Sequence, residues 1–221
     1  MKHMGHVSLS IAALSMALFA PGAVCAQSNM QPQSQNATNT QNQTGREEAD
    51  RMVPAQAYLL QKLDAKDMKP GSQFKARLSE TVHLKNGPEL PKGTELIGKI
   101  GTDDMQLKGT SKLALCINEA RLKDGKTIPV KATIVGIYAP ESETPNGYNV
   151  APGQEEANDW TDRVWKVDQL NAVGGVDLHS RVNGVNSGVF VSTKKDNVKI
   201  SAGSELALAI AAENSEQSAG S

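Results

Sequence analysis

The chain of 221 residues is poor in the side chains that usually cross-link a protein or carry chemistry. It has two cysteines, four histidines, two tryptophans, three tyrosines and three phenylalanines. With so few aromatics, any core must be filled by Val, Ile, Leu and Ala. Cys25 falls in an N-terminal leader, so Cys116 would stand alone after processing and could form no internal disulfide. Within "LALCINEA" it reads as an inert apolar residue of a strand and not as a nucleophile. Neither charge sign is in excess. The net charge is −1, or −2 once Lys2 is lost with the leader, which gives no reason to invoke nucleic acid or an anionic membrane surface.

The usual signatures of catalysis are scarce too. His83 alternates outward on a strand pattern and reads as a surface residue. Asp177 and His179 could open a metal pair or a catalytic dyad, but no third partner stands at a telling distance. Ser187, in "GVNSG", lacks the glycines two positions to either side that a nucleophile elbow needs. The pairs Asp103–Asp104 and Asp159 with Asp162 read as loop and capping carboxylates. No cofactor or metal is implied, and the expectation is that the protein is not an enzyme.

What the sequence does contain is clear punctuation. Residues 1–26 carry Lys2, the apolar run "VSLSIAALSMALFA" and small residues before a cut after Ala26. That is the grammar of a secretory signal peptide, too short for a comfortable membrane span, with lipidation at Cys25 as the minor option. Residues 27–45 are a Gln/Asn-rich linker with almost nothing to bury, and 213–221 resemble it. Between them, 46–65 form a helical lead-in, with "PAQAYLLQKLDAK" as its helix candidate. Residues 66–212 form one β-rich domain.

Three stretches in that domain share one pattern: "MKPGSQFKARL", "LPKGTELIGKI" and "ISAGSELALAI". Each runs through glycine (Gly71, Gly93, Gly203) and a hydroxyl (Ser72, Thr94, Ser204) into an apolar strand. Glycine supplies the positive φ of a tight corner, and the hydroxyl can bond nearby backbone. For Gly93 the sequence suggests the last position of a type I turn. Gly-Ser also occurs in phosphate loops, but a helix would then have to follow. These glycines are therefore structural and open strands.

Alternation continues through Phe74, Ala76, Leu78, Val82 and Leu84. Leu96, Gly98 and Ile100 then share a face, with Ile97 the exception. Asp124-Gly125 joins two apolar runs as a hairpin signal. The return run places Ile128, Val130, Ala132, Ile134 and Tyr138 on one side. Residues 140–172 interrupt the rhythm with a loop and a helix, "EEANDWTDRVWKVDQL", where Trp160 follows the apolar stripe and Trp165 lies off it. Both tryptophans are candidates for partner contact, against a plainer role docking the helix. The fold class is mainly β: a partly open barrel or sandwich with one short N-terminal helix and one inserted helix.

The motif from Leu90 to Gly98, followed by Leu122, Asp124 and Gly125 and their return strand, resembles the C-terminal domain of the TrbI-like scaffolds of conjugation and type IV secretion. "GGVDLH" (Gly174–His179) and "NVKISAGSELALAI" are similar to later passages of that family. The resemblance spans roughly residues 66–211. It implies a barrel-like envelope domain without catalytic residues. Short strands follow His179 where those scaffolds insert a long helical antenna, so an outer-membrane pore is not implied. The expectation is an exported module, periplasmic or extracellular, that is structural or holds an envelope protein partner and has no membrane span in the mature chain. The alternative is a carbohydrate- or peptidoglycan-binding module using Trp160 or Trp165. An enzyme built on Asp177 and His179 ranks third.

Overall fold

The computed structural model describes residues 45–140, 142, 165–194 and 196–213. The expected leader, nearly all of the Gln/Asn-rich linker, Trp160, Asp159, Asp162 and the tail from residue 214 lie outside these residues. Residues 45–51 are helical. Strands then follow in the order β1 (Val53–Leu59), β2 (Leu63–Asp64), β3 (Gln73–Leu78), β4 (Val82–His83), β5 (Glu89–Leu90), β6 (Glu95–Gly101) and β7 (Ser111–Arg121). After them come β8 (Thr127–Tyr138), β9 (Lys166–Val173), β10 (Val176–Arg181), β11 (Gly188–Ser192), β12 (Lys199–Ile200) and β13 (Glu205–Ala212).

The mainly β expectation holds. Strands β1, β3, β6, β7, β8 and β13 form a closed antiparallel ring, completed by the β6–β7 pairing, and β11, β10 and β9 continue the sheet from β7, with β10 and β9 also lying close to β8. Closure shows in the register. A row of paired residues runs from Tyr138 through Glu205, Tyr58, Arg77, Glu95 and Arg121 to Thr127. It leaves β8 at one end and re-enters it near the other, the stagger that tilted strands require.

Two helix expectations are corrected. The stretch from Pro54 to Lys66 is not helical; it contains β1 and β2, and the short N-terminal helix lies ahead of it. Ala55, Ala57 and Leu59 are buried at a period of two, whereas Leu60, needed for a helical stripe, is 39% exposed. Pairing on both sides overrides weak helix propensity. Pro54 falls in the part of β1 that β3 does not reach, where a missing N–H is tolerated. In the inserted segment, Lys166–Leu170 is strand, as the first part of β9, while the earlier part of that expected helix lies outside the described residues.

Phe74 from the ring and Phe190 from β11 are the large aromatics of one core otherwise built from Leu, Ile, Val and Ala. The ribbons β2–β12 and β4–β5 bring Leu63, Ile200, Val82 and Leu90 into the same core. Phe74 lies across from Gly98, and a Cβ on Gly98 would meet the Phe74 ring at 2.3 Å and the Cys116 carbonyl oxygen at 2.8 Å. The glycine is therefore the slot that receives the ring. Beside it, the β6–β7 register shifts between Ile97 and Gly98, and Ile97 is buried away from the main core.

A second shift, between Ala207 and Leu208 on β13, alters the expected face of β8. Ile128, Val130, Ala132 and Ile134 point inward as expected, but beyond Val135 it is Ile137 that enters the core and Tyr138 that is half-buried. One unpaired residue reverses the alternation.

Candidate functional site

The three repeated turns share one geometry. Gly71, Gly93 and Gly203 have φ of +88°, +87° and +80°. Each following N–H closes a four-residue turn: Ser72 to the Lys69 carbonyl, Thr94 to that of Pro91, and Ser204 to that of Ser201. Glycine is thus the third residue of a type II turn, which replaces the type I reading of Gly93. Each glycine N–H also donates to the end of a neighbouring strand, at Ile100, Leu78 and Leu59 respectively. Those residues in turn donate to the carbonyls of Ser72, Thr94 and Ser204. The hydroxyls differ. Thr94 Oγ1 donates to the Pro91 carbonyl at 2.7 Å and Ser72 Oγ accepts from Lys69, while Ser204 Oγ is buried without a partner among the described residues.

The Gly93 turn also borders a cleft of about 520 Å³, lined by Arg77, Gly93, Glu95, Arg121, Leu122, Lys123 and Gly125. Arg77, Glu95 and Arg121 are register neighbours on β3, β6 and β7 and project from the outer face of the barrel. Glu95 accepts from Lys75 Nζ at 3.2 Å and from an Arg77 guanidinium nitrogen at 3.3 Å. The Lys75 hydrogen bond, then that of Arg77, holds its carboxyl below the usual value. Arg121 pairs with Glu119 at 3.0 Å. Lys123 rises from the β7–β8 hairpin, where the Gly125 N–H donates to the Leu122 carbonyl and Gly125 has φ +88°, a type I turn with a glycine bulge. Its Cε lies 3.2 Å from where a Cβ on Gly93 would sit, so the two turns meet along the lysine stem.

Sequence reasoning did not single out Arg77, Glu95, Arg121 or Lys123. Arg121-x-Lys123 beside the Asp-Gly hairpin was the one local signal, and the meeting of residues 77, 95 and 121 depends on sheet register.

The residues weighed for chemistry are engaged in the framework. Ser187 sits where β7 turns from β8 to β11: its N–H donates to the Leu115 carbonyl at 2.7 Å and its carbonyl accepts from Ile134 at 2.7 Å. Its Oγ accepts from the Ile117 N–H at 2.8 Å. Asp103 accepts from the Met105 and Leu107 N–H groups and pairs with Lys112 at 2.8 Å. Burial pushes its carboxyl up, but these donors outweigh that and hold it below the usual value. Asp104 accepts from the Val185 N–H and from Asn186 Nδ2, tying the 102–110 loop to the 183–186 loop.

The structure does not couple Asp177 with His179. His179 Nδ1 lies 2.7 Å from Asp168 Oδ1, Asp168 also binds Lys166 at 2.6 Å, and Asp177 accepts from the Asn171 N–H beside the Gly174-Gly175 turn. His83 is exposed and 3.3 Å from Glu89. Cys116 is half-buried, with Sγ 3.4 Å from the Val185 carbonyl oxygen, and burial pushes its thiol up, which disfavours the nucleophilic thiolate. Trp165 is half-buried, with its ring over Gly45 and packed on Ala49, Met52, Val182, Ala209 and Ala211. Among the described residues no group of three His, Cys, Asp or Glu could hold a metal ion, and no helix is long and apolar enough to cross a membrane.

Fold and site define a class: a closed six-strand antiparallel barrel with a three-strand extension and a charged cleft between two turns. No family model and no curated protein matches the chain. Among solved structures it is similar to ComB10 of the Com type IV secretion system of Helicobacter pylori. The match covers 72% of this chain and 87% of that one, at 11% identity and a TM-score of 0.34.

Proposed function

We propose that this protein is an exported, non-catalytic module of the cell envelope that works by holding another protein, in the manner of secretion-system scaffold barrels. The observation that carries the reading is the sheet extension. Having closed a barrel, the sheet continues through β11 and β10 and ends on β9, which among the described residues pairs with β10 alone. Leu170 on that strand is 72% exposed. A strand with one unpaired side is a template for an added strand from a partner. The framework roles of Ser187, Asp103, Asp104 and Asp177 support a non-catalytic reading, and the leader-like residues 1–26 support export. The motifs at Leu90–Gly98 and Leu122–Gly125 support kinship with the scaffolds.

The test is cross-linking of the tagged protein in its host, followed by purification from the envelope fraction and identification of what accompanies it. A stoichiometric envelope protein is expected. A clean monomer retained on cell-wall material would overturn the reading in favour of a glycan-binding module.

A further inference from the structure

The cleft between the Gly93 turn and the β7–β8 hairpin is not a by-product of a basic chain, because the protein as a whole carries a net charge of −1. Three cations from two places in the sequence, Arg77 on β3 and Arg121 with Lys123 at the β7–β8 hairpin, nevertheless line one concavity with a single carboxylate, Glu95, among them. That carboxylate is shared by Lys75 and Arg77, and Arg121 is paired with Glu119, so four cations stand against two carboxylates and the pocket keeps an excess of positive charge. The Lys123 stem lies against the Gly93 turn, with Nζ 3.6 Å from where a Cβ on Gly93 would sit, and the residue lines the cleft.

We propose that this cleft docks an acidic segment of a partner protein, with Arg77, Arg121 and Lys123 taking its carboxylates and Glu95 accepting a backbone N–H. This rests on the reading of the protein as an interaction module. Three features select the ligand class. Guanidinium forks match carboxylates in two-point geometry. A volume of about 520 Å³ holds several side chains, far more than one small inorganic anion fills. Finally, a carboxylate amid the cations repels a dense polyanion such as pyrophosphate, while a peptide can supply an N–H donor to it.

The experiment is a fluorescence-anisotropy titration of the full chain with a labelled hexaglutamate peptide, using hexalysine as control and inorganic phosphate and pyrophosphate as competitors. Saturable binding that weakens with salt is expected. Lys123→Glu should weaken it by about tenfold or more, the size of one charge contact reversed. Lys108→Glu makes the same charge change in the exposed loop before the opposite end of β7 and should leave binding intact. Thermal melts confirm that both variants fold, and Lys123→Gln gives the milder version of the same loss. Absence of saturable binding, equal weakening by both reversals, or displacement by phosphate at lower concentration than by free hexaglutamate would each overturn the proposal. Cross-linking in the host separates this inference from the one beneath it. A partner captured equally by wild type and Lys123→Glu removes the cleft and leaves the interaction module standing.

Discussion

Gly98 and Gly71 show how differently one residue type can serve. Gly71 has φ +88° and nothing within 4 Å of where a Cβ would sit, so Gly71→Ala meets only the backbone cost of a left-handed conformation, about 1–2 kcal/mol. Gly98 has no such φ restriction; its constraint is the Phe74 ring at 2.3 Å and backbone on the far side. Gly98→Ala must therefore displace a fully buried aromatic. The expected cost is about 1–3 kcal/mol by urea denaturation, with the near-ultraviolet signal also altered by ring movement. A Phe74→Leu background should reduce that penalty, because the clash belongs to the pair and not to the turn.

At the scale of the element, the decisive feature is the point where β7 changes partner. Its C-terminal part, from Glu119 to Arg121, pairs with β8, and its N-terminal part, from Ser111 to Leu115, pairs with β11. Between them, Ser187 satisfies backbone groups of both β7 and β8, and Ser180 Oγ donates to the Ile134 carbonyl at 2.6 Å. Ser187→Ala keeps the backbone bonds but orphans the Ile117 N–H in a buried setting. Leaving such a donor unpaired costs about 1–3 kcal/mol. Hydrogen exchange should then accelerate at Ile117 while the far side of the ring, at β1 and β3, stays protected. Uniform acceleration across the barrel would show that the serine has no local role at the fork.

The whole molecule carries a predictable response to acid. Among the described residues three carboxyls are held below their ordinary values: Glu95 by Lys75 and then Arg77, Asp168 by Lys166 and then His179, and Asp103, where burial pushes up but Lys112 and backbone donors outweigh it. A carboxyl whose folded pKa is depressed contributes stability that is present above its unfolded value and lost as pH falls through the folded one. Urea midpoints should therefore decline below about pH 4, near the ordinary carboxyl range. Asp103→Asn should lower the midpoint at neutral pH and flatten part of the acid decline. An unchanged acid slope in that variant would show that the loop staple does not contribute to global stability.

Local grammar in the sequence determined much of this protein. The glycine-hydroxyl starts of β3, β6 and β13, the Asp124-Gly125 hairpin and the inward alternation of Phe74, Ala76 and Leu78 depend on near neighbours, so they were legible in order. Tertiary structure decided the rest. Whether Pro54–Lys66 became helix or strand depended on β13 and β3 arriving on either side of β1. Whether Tyr138 or Ile137 faced the core depended on one register shift opposite β13. The partner of His179 was Asp168 on β9 and not Asp177 two residues away, because successive positions on one strand are held farther apart than paired positions across a ladder. The basic cleft arose the same way: the register across β3, β6 and β7, and no spacing along the chain, brought Arg77, Glu95 and Arg121 together.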